Sequence, residues 1–454
     1  MPHRAHTVVD RGLPRLLHGA SRRSAPRARY AAALVAACAA TALACGGPAP
    51  SEAPSPTNVT VFEGARLITG EDTVPIENAV FVVADGRFTQ VGEAGTVTIP
   101  EGAARIDLTG RTVMPAIVDS HTHLSQTRDA LVEDLQRRAY YGIGVAASLG
   151  QDQGEAPFQV RAETIPDAAR FRTAGRGITA PEPGRSEVPY WITTEAEARA
   201  AVQEQAASQV DLVKIWVDDR NGQYQKLSPA LYGAVIDEAH KAGLRVTAHI
   251  FALEDAKGLL RAGIDAFAHG VRDRDIDEEG LALFRDRPNV YVVPNMPDRG
   301  VAQDYGWLAE SLPAEEVARL QEASTDRPDA QATFGIQARN LKALSDAGVK
   351  IAFGTDGNTP WAPHVEMADM VASGMTPAQV IVAATRTSAE LLQVADAGTV
   401  APGMSADFIV LEANPLDDIT NTRRIVNVYL RGAAVDRAGL RAAWASGPAE
   451  PAGN

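Results

Sequence analysis

The stretch Val113-Met114-Pro115-Ala116-Ile117-Val118-Asp119-Ser120-His121-Thr122-His123 decides how the rest of the chain is read. Its first six residues are apolar and read as a buried strand, and Asp119-Ser120 carries the chain out of it. Alternate side chains of an extended segment share a face, so His121 and His123 point the same way. Two imidazoles on one face at the mouth of a buried parallel strand form half of a metal site.

Working outward, the same pattern returns. Lys214 lies in the run Val210 to Trp216, His249 ends Arg245 to His249, His269 ends Ile264 to His269, and Asp356 ends Val349 to Asp356. Each polar group closes a short β-type run that follows a helix-type segment. Gly144 to Ser148, Phe171 to Ala174 and Val290 to Pro294 supply three more runs. Eight strands alternating with helices predict an α/β fold, a (β/α)8 TIM barrel with its functional groups at one rim. The barrel is expected over residues 113–396. Short strand-like runs in residues 58–112 and 397–440 predict a small β-sandwich formed by the N- and C-terminal flanks, leaving 441–454 as a tail.

Catalytic zinc takes imidazole and carboxylate ligands and keeps one position open. His121, His123 and Asp356 suit one divalent ion, and His249 with His269 suits a second. Lys214 needs its own account, because an ammonium repels cations. A buried lysine that loses its proton can add CO2, and the resulting carbamate has the two oxygens a bridge requires. Two ions sharing carboxylated Lys214 and a hydroxide would provide a nucleophile at neutral pH. Asp356, a ligand beside that nucleophile, is the expected catalytic proton shuttle. Zn2+ is the first expectation, although Mn, Co or Fe would accept the same ligands.

The motifs Val118-Asp119-Ser120-His121-Thr122-His123, Lys214, His249, Ala268-His269-Gly270 and Phe353-Gly354-Thr355-Asp356 resemble the metal-dependent amidohydrolase superfamily. With Gly374-Met375-Thr376-Pro377 they are similar to its imidazolonepropionase-like and Xaa-Pro dipeptidase-like branch. The resemblance implies metal ligands at His121, His123, Lys214, His249, His269 and Asp356, a carboxylated Lys214, and hydrolysis of amide-type bonds. Ala116 stands where that family usually has Gly, and Ser148-Leu149-Gly150 stands where relatives often carry an acidic residue. The expected reaction is cleavage of a C–N bond in a small substrate such as a dipeptide or an N-acyl amino acid. Ester, lactone or phosphotriester hydrolysis would use the same nucleophile. A catalytically silent binding barrel is the non-enzyme alternative, and it predicts missing ligands.

Around the rim, Arg220 and Tyr224 in the loop after Lys214, and His364 beyond the last strand, are candidate substrate-binding residues, each with a plain structural alternative. Arg176 and Arg185 could belong to a lid, and His240 is expected to be solvated. Seven Arg and one Asp give residues 1–45 a charge of +6, so the remainder carries −20 against an overall −14. That acidity argues against nucleic acid and against charge-driven binding to anionic lipid. An Arg-rich start followed by the apolar Tyr30 to Ala44 reads as an export leader. Thr41-Ala42-Leu43-Ala44-Cys45 resembles a lipoprotein processing site, with Cys38 as the rival anchor and a plain signal peptide as the alternative. Residues 46–57 read as a Pro/Ser/Ala tether. The expected location is periplasmic or cell-surface, with contact to membrane only through the lipid anchor and oligomerisation left open. The two cysteines both fall in the leader, so no disulfide, thiolate site or cysteine nucleophile is expected beyond it.

Overall fold

The computed structural model describes residues 59–71, 74–185 and 187–445. The leader, both cysteines and the tether lie outside the described residues. Among the described residues no helix is long and apolar enough to cross a membrane.

Two groups of parallel strands surround the centre of the molecule. Ile117–Thr122, Ile143–Ser148 and Arg170–Thr173 form one. The other runs Tyr190–Trp191, Ile178–Thr179, Val213–Val217, Val246–Ile250, Ala266–Phe267, Tyr291–Val292, Lys350–Ile351. Backbone hydrogen bonds tie the groups to each other on both sides. Ser120 N–H donates to Phe353 O at 2.9 Å and Thr355 N–H to His121 O at 3.0 Å. Across the other gap, Asp211 N–H donates to Thr173 O at 2.9 Å. The result is TIM-barrel-like, with helices such as Arg128–Tyr140, Glu195–Ala207 and Pro229–Lys241 between successive strands. Those helices start where the sequence supplies caps. The Thr194 and Ser228 side chains accept from the N–H groups of Glu197 and Leu231. The layer between strands and helices is apolar, with Ile117, Val213, Ile215, Val246 and Phe267 fully buried against residues such as Leu135, Val235 and Leu259.

The stretch that opened the sequence reading divides between two sheets. Thr112–Pro115 pairs with Phe408–Leu411 in the terminal sheet, and the barrel strand starts only at Ile117. Pro115 has no N–H to continue the ladder. Ala116 N–H still reaches Asp407 O at 3.0 Å, whereas Ile117 N–H turns to Gly142 O at 3.0 Å. A continuous apolar run cannot reveal that change of partner, so the barrel boundary moves from Val113 to Ile117.

Both flanks do meet, in one mixed eight-stranded sheet that curls so that strands distant in its order face each other, with the Phe88 and Phe408 rings 5.8 Å apart. Val59–Leu67 changes partner midway, from Ala104–Asp107 at its start to Thr112–Pro115 at its end. Register shifts around Gly64, whose φ is +88°, permit the change. Phe62, Phe81, Phe88, Phe408 and Tyr429 fill one face with stacked and edge-on ring contacts. The expected tail begins as the helix Arg437–Ala445; the remainder of it lies outside the described residues.

Candidate metal centre

All six expected side chains converge. The imidazole centroids of His121 and His123 lie 5.4 Å apart, His121 and His269 5.1 Å, and His249 and His269 4.5 Å. Asp356 Oδ1 is 3.0 Å from both His121 Nε2 and His123 Nε2, and its Oδ2 is 3.6 Å from His269 Nε2. Lys214 Nζ stands 3.3 Å from His121 Nε2. Ligand atoms about 2.1 Å from a tetrahedral ion stand about 3.4 Å from one another. His121, His269 and Asp356 offer ligand atoms within 4.8 Å of one another, a set that fits one divalent cation, and His123 Nε2 stands beside it at Asp356 Oδ1.

Lys214 reaches the group from a lower layer of the barrel. It is the second residue of Val213–Val217 and pairs with Thr247, two residues before His249. Its four-carbon stem spans that extra layer. Gly150 makes room for the stem, since a Cβ there would lie 2.9 Å from Lys214 Cγ, and the +88° φ of Gly150 suits glycine. His121 is seated in the same way against Gly354, where a Cβ would fall 2.6 Å from His121 Cβ.

Burial and charge give these groups the protonation states a cation accepts. Burial, then the Lys214 charge, pulls His121 down to about 3; burial likewise lowers His249 to about 3 and His269 well below its usual value. Burial pulls the Lys214 amine down to about 7; Asp356 opposes this, while Arg272 and Arg220 add to it. Burial alone would raise Asp356, but the surrounding imidazoles and their hydrogen bonds hold it well below the carboxylate range. The outcome is neutral imidazoles beside an ionised carboxylate.

Sequence reasoning did not single out the residues that hold this arrangement. Asp119 is fully buried and accepts from Arg138 Nη1 at 3.2 Å, Thr355 Oγ1 at 2.8 Å and the His121 N–H at 3.3 Å. Asn295, in the left-handed region at φ +42°, sets its amide 2.6 Å from His121 Nδ1 and 3.3 Å from His269 Nδ1. Its Oδ1 is buried without a partner among the described residues. Its Nδ2 donates to Ala268 O, which also accepts from His121 Nδ1 at 3.0 Å, so the Nδ1 hydrogen is held on that side and His121 Nε2 is left facing the cation. Asp152 is buried and accepts from Ser148, Thr173 and Gln126, which places an acidic residue beside the Ser148-Leu149-Gly150 departure. No short motif marks Asn295 or Asp152, because both reach the centre through loop geometry.

Among the candidate substrate residues, Arg220 is at the centre, with Nη1 2.9 Å from His249 Nε2. Arg272, three residues after His269, joins it. Its Nε and Arg220 Nη2 are buried without hydrogen-bond partners among the described residues. Tyr224 instead donates to Pro183 O at 3.2 Å. His364 is fully buried elsewhere, 3.1 Å from Thr422 Oγ1 and 3.0 Å from Tyr141 O, with its ring against Trp307. The helix Ala362–Ala372 turns inward at once, so a histidine just past the last strand never reaches the rim. Arg185 pairs with Glu182, Arg176 stacks on Tyr190, and His240 Nε2 is hydrogen-bonded to Asp265 Oδ2 at 2.8 Å.

Residues 188–435 match the model of the Amidohydrolase family. The chain belongs to the amidohydrolase family. A Mycobacterium tuberculosis protein of uncharacterized function is 29% identical over 371 residues, covering 74% of this chain and 92% of its own. The imidazolonepropionase of Deinococcus radiodurans is 26% identical over 384 residues, covering 79% and 92%. A solved structure from Bifidobacterium longum, assigned as a prolidase, superposes with a TM-score of 0.69 at 27% identity, covering 86% of this chain and 99% of that one. The resemblance to the imidazolonepropionase-like and Xaa-Pro dipeptidase-like branch is borne out. This amidohydrolase is an enzyme acting on C–N bonds.

Proposed function

We propose that the enzyme is metal-dependent and hydrolyses the amide or peptide bond of a small anionic substrate, such as a dipeptide or an N-acyl amino acid. The observation that carries this reading is the convergence of four imidazoles, Lys214 and Asp356 beside two guanidinium groups with unsatisfied buried donors. His121, His123, His269 and Asp356 would hold a divalent cation, for which Zn2+ is the first candidate. When bound, such an ion supplies Lewis acidity toward a carbonyl and toward water.

Asp356 stays ionised, so it can accept the proton of the attacking water and hand it to the leaving nitrogen. Lys214, with its amine near neutrality, has an unprotonated fraction open to CO2, which supports the carbamate reading. A substrate carboxylate would satisfy the orphaned donors of Arg272 and Arg220 with charge-assisted hydrogen bonds. The backbone bonds across both strand gaps support closure into one eightfold barrel. The leader supports export, with Cys45 as the lipid anchor and Cys38 as its rival.

The test is turnover of dipeptide, N-acyl amino acid and lactone panels by zinc-loaded enzyme. Amine release from carboxylate-bearing amides, with at least a tenfold loss for the matching carboxamides, is the expected result. Turnover of lactones alone would overturn the amide reading.

A further inference from the structure

Glu366 is a buried acid with no part in the chemistry proposed above. It sits on the helix Ala362–Ala372 with 6% of its surface exposed. Its two carboxyl oxygens lie 2.9 and 3.0 Å from one donor, the backbone N–H of Met296. Burial pushes this carboxyl well above its usual range; the Met296 N–H opposes the shift, while Asp369, Asp119 and Asp356 add to it. A neutral amide of the same shape can therefore stand in for it.

The donor it takes is a scarce one. Met296 lies in Pro294-Asn295-Met296-Pro297, and neither proline has an N–H, so only Asn295 and Met296 offer backbone donors there. Val293 N–H still donates to Phe267 O at 2.8 Å, and the chain then turns at Asn295, at φ +42°. A left-handed residue that carries a side chain persists only where its surroundings over-determine it. The Met296 N–H belongs to the planar peptide that leaves Asn295, so holding it fixes the second half of that turn. One turn further along the same helix face, Asp369 Oδ1 stands 3.5 Å from Arg299 Nε. The helix thus grips the segment after this strand at two points. Asn295 in turn carries its amide to Ala268 O and to the Nδ1 atoms of His121 and His269.

We propose that Glu366 is a positioning residue for the metal centre: by accepting from the Met296 N–H it sets the turn at Asn295, and Asn295 then orients His121 and His269. Glu366 acts wholly through Asn295 and touches neither cation nor substrate. This inference rests on the proposed metal-dependent reading.

The test is a double-mutant cycle on the full-length chain, read as zinc affinity in competition with a chromophoric chelator. Glu366→Met, which removes the acceptor at similar length, is expected to weaken zinc binding about tenfold. Glu366→Gln keeps an oxygen for the Met296 N–H and is expected to stay within about threefold of wild type. The double variant with Asn295→Leu is expected to bind within about threefold of Asn295→Leu alone, since the link through which Glu366 acts is already gone. Unchanged affinity in Glu366→Met, an equal loss in Glu366→Gln, or losses that multiply in the double variant would each overturn the inference while the metal reading stands. A wild type that binds no zinc would bring down both. Thermal melts establish that each variant is folded; where Glu366→Met is not, Glu366→Asp, one methylene short of the Met296 N–H, takes its place in the same cycle.

Discussion

Asp119 and Arg138 form an ion pair with no exposure to solvent, and that pair fixes the turn on which His121 and His123 sit. Arg138 also donates to Gly357 O at 2.8 Å, so one guanidinium ties the first barrel strand to the segment carrying Asp356. Removing one partner strands a buried charge, which costs about 3–5 kcal/mol. Arg138→Met should therefore lower the unfolding free energy by about that amount in chemical denaturation, and a change under 1 kcal/mol would remove the pair from the account. Asn295 acts more gently. Asn295→Leu should leave the fold intact while weakening metal affinity about 10–100-fold, the usual effect of losing a group that orients ligating histidines. A competition titration with a chromophoric chelator reads that shift directly. Of the site, the six converging residues were legible because each ends or lies in a strand-like run. Arg272 and Asn295 were not, since their contribution depends on left-handed turns and on what lies across the barrel.

Strands and helices set where each group can stand. Neighbouring strands place Trp216 opposite His249 and Lys214 a layer below, so only a long side chain at 214 reaches the rim. Gly354 allows the last strand to close against His121. Gly354→Ala should displace His121 and reduce kcat/KM at least tenfold with secondary structure unchanged by circular dichroism. The rhythm of strand and helix was readable because a buried parallel strand needs an unbroken apolar run. The partner change at Pro115-Ala116 was not, because both halves of Val113 to Val118 are equally apolar. The helix Ala362–Ala372 supplies a pH prediction. Burial raises Asp369 to about 6, against the weaker pull of Arg299 and Arg423. Between pH ~4 and ~6 the folded state then binds more protons than the unfolded one, so stability falls as pH rises through that window. A shift of that size corresponds to at most about 3 kcal/mol. Asp369→Asn should flatten this slope, matching wild type near pH 4 and exceeding it by about 1–2 kcal/mol at pH 7. Equal slopes in urea melts across the window would contradict the assignment.

At the scale of the whole chain, the two flanks meet in one sheet that packs a phenylalanine-rich core of its own. The merger of both ends was legible from their short strand-like runs. The continuous pairing order of that curled sheet was not, because it depends on register shifts around Gly64 that leave no compositional trace. The charge contrast between residues 1–45 and the acidic remainder carries the export proposal. Full-length chain should fractionate with membranes, and Cys45→Ser should release it into the soluble envelope fraction. Retention of that variant, with release by Cys38→Ser, would move the anchor to Cys38. The most direct measurement of the central claim is anomalous diffraction at the zinc edge from zinc-loaded crystals. The account predicts a peak about 2.0–2.2 Å from the ligand atoms of His121, His123, His269 and Asp356. Full zinc loading with no peak among those four side chains would contradict it.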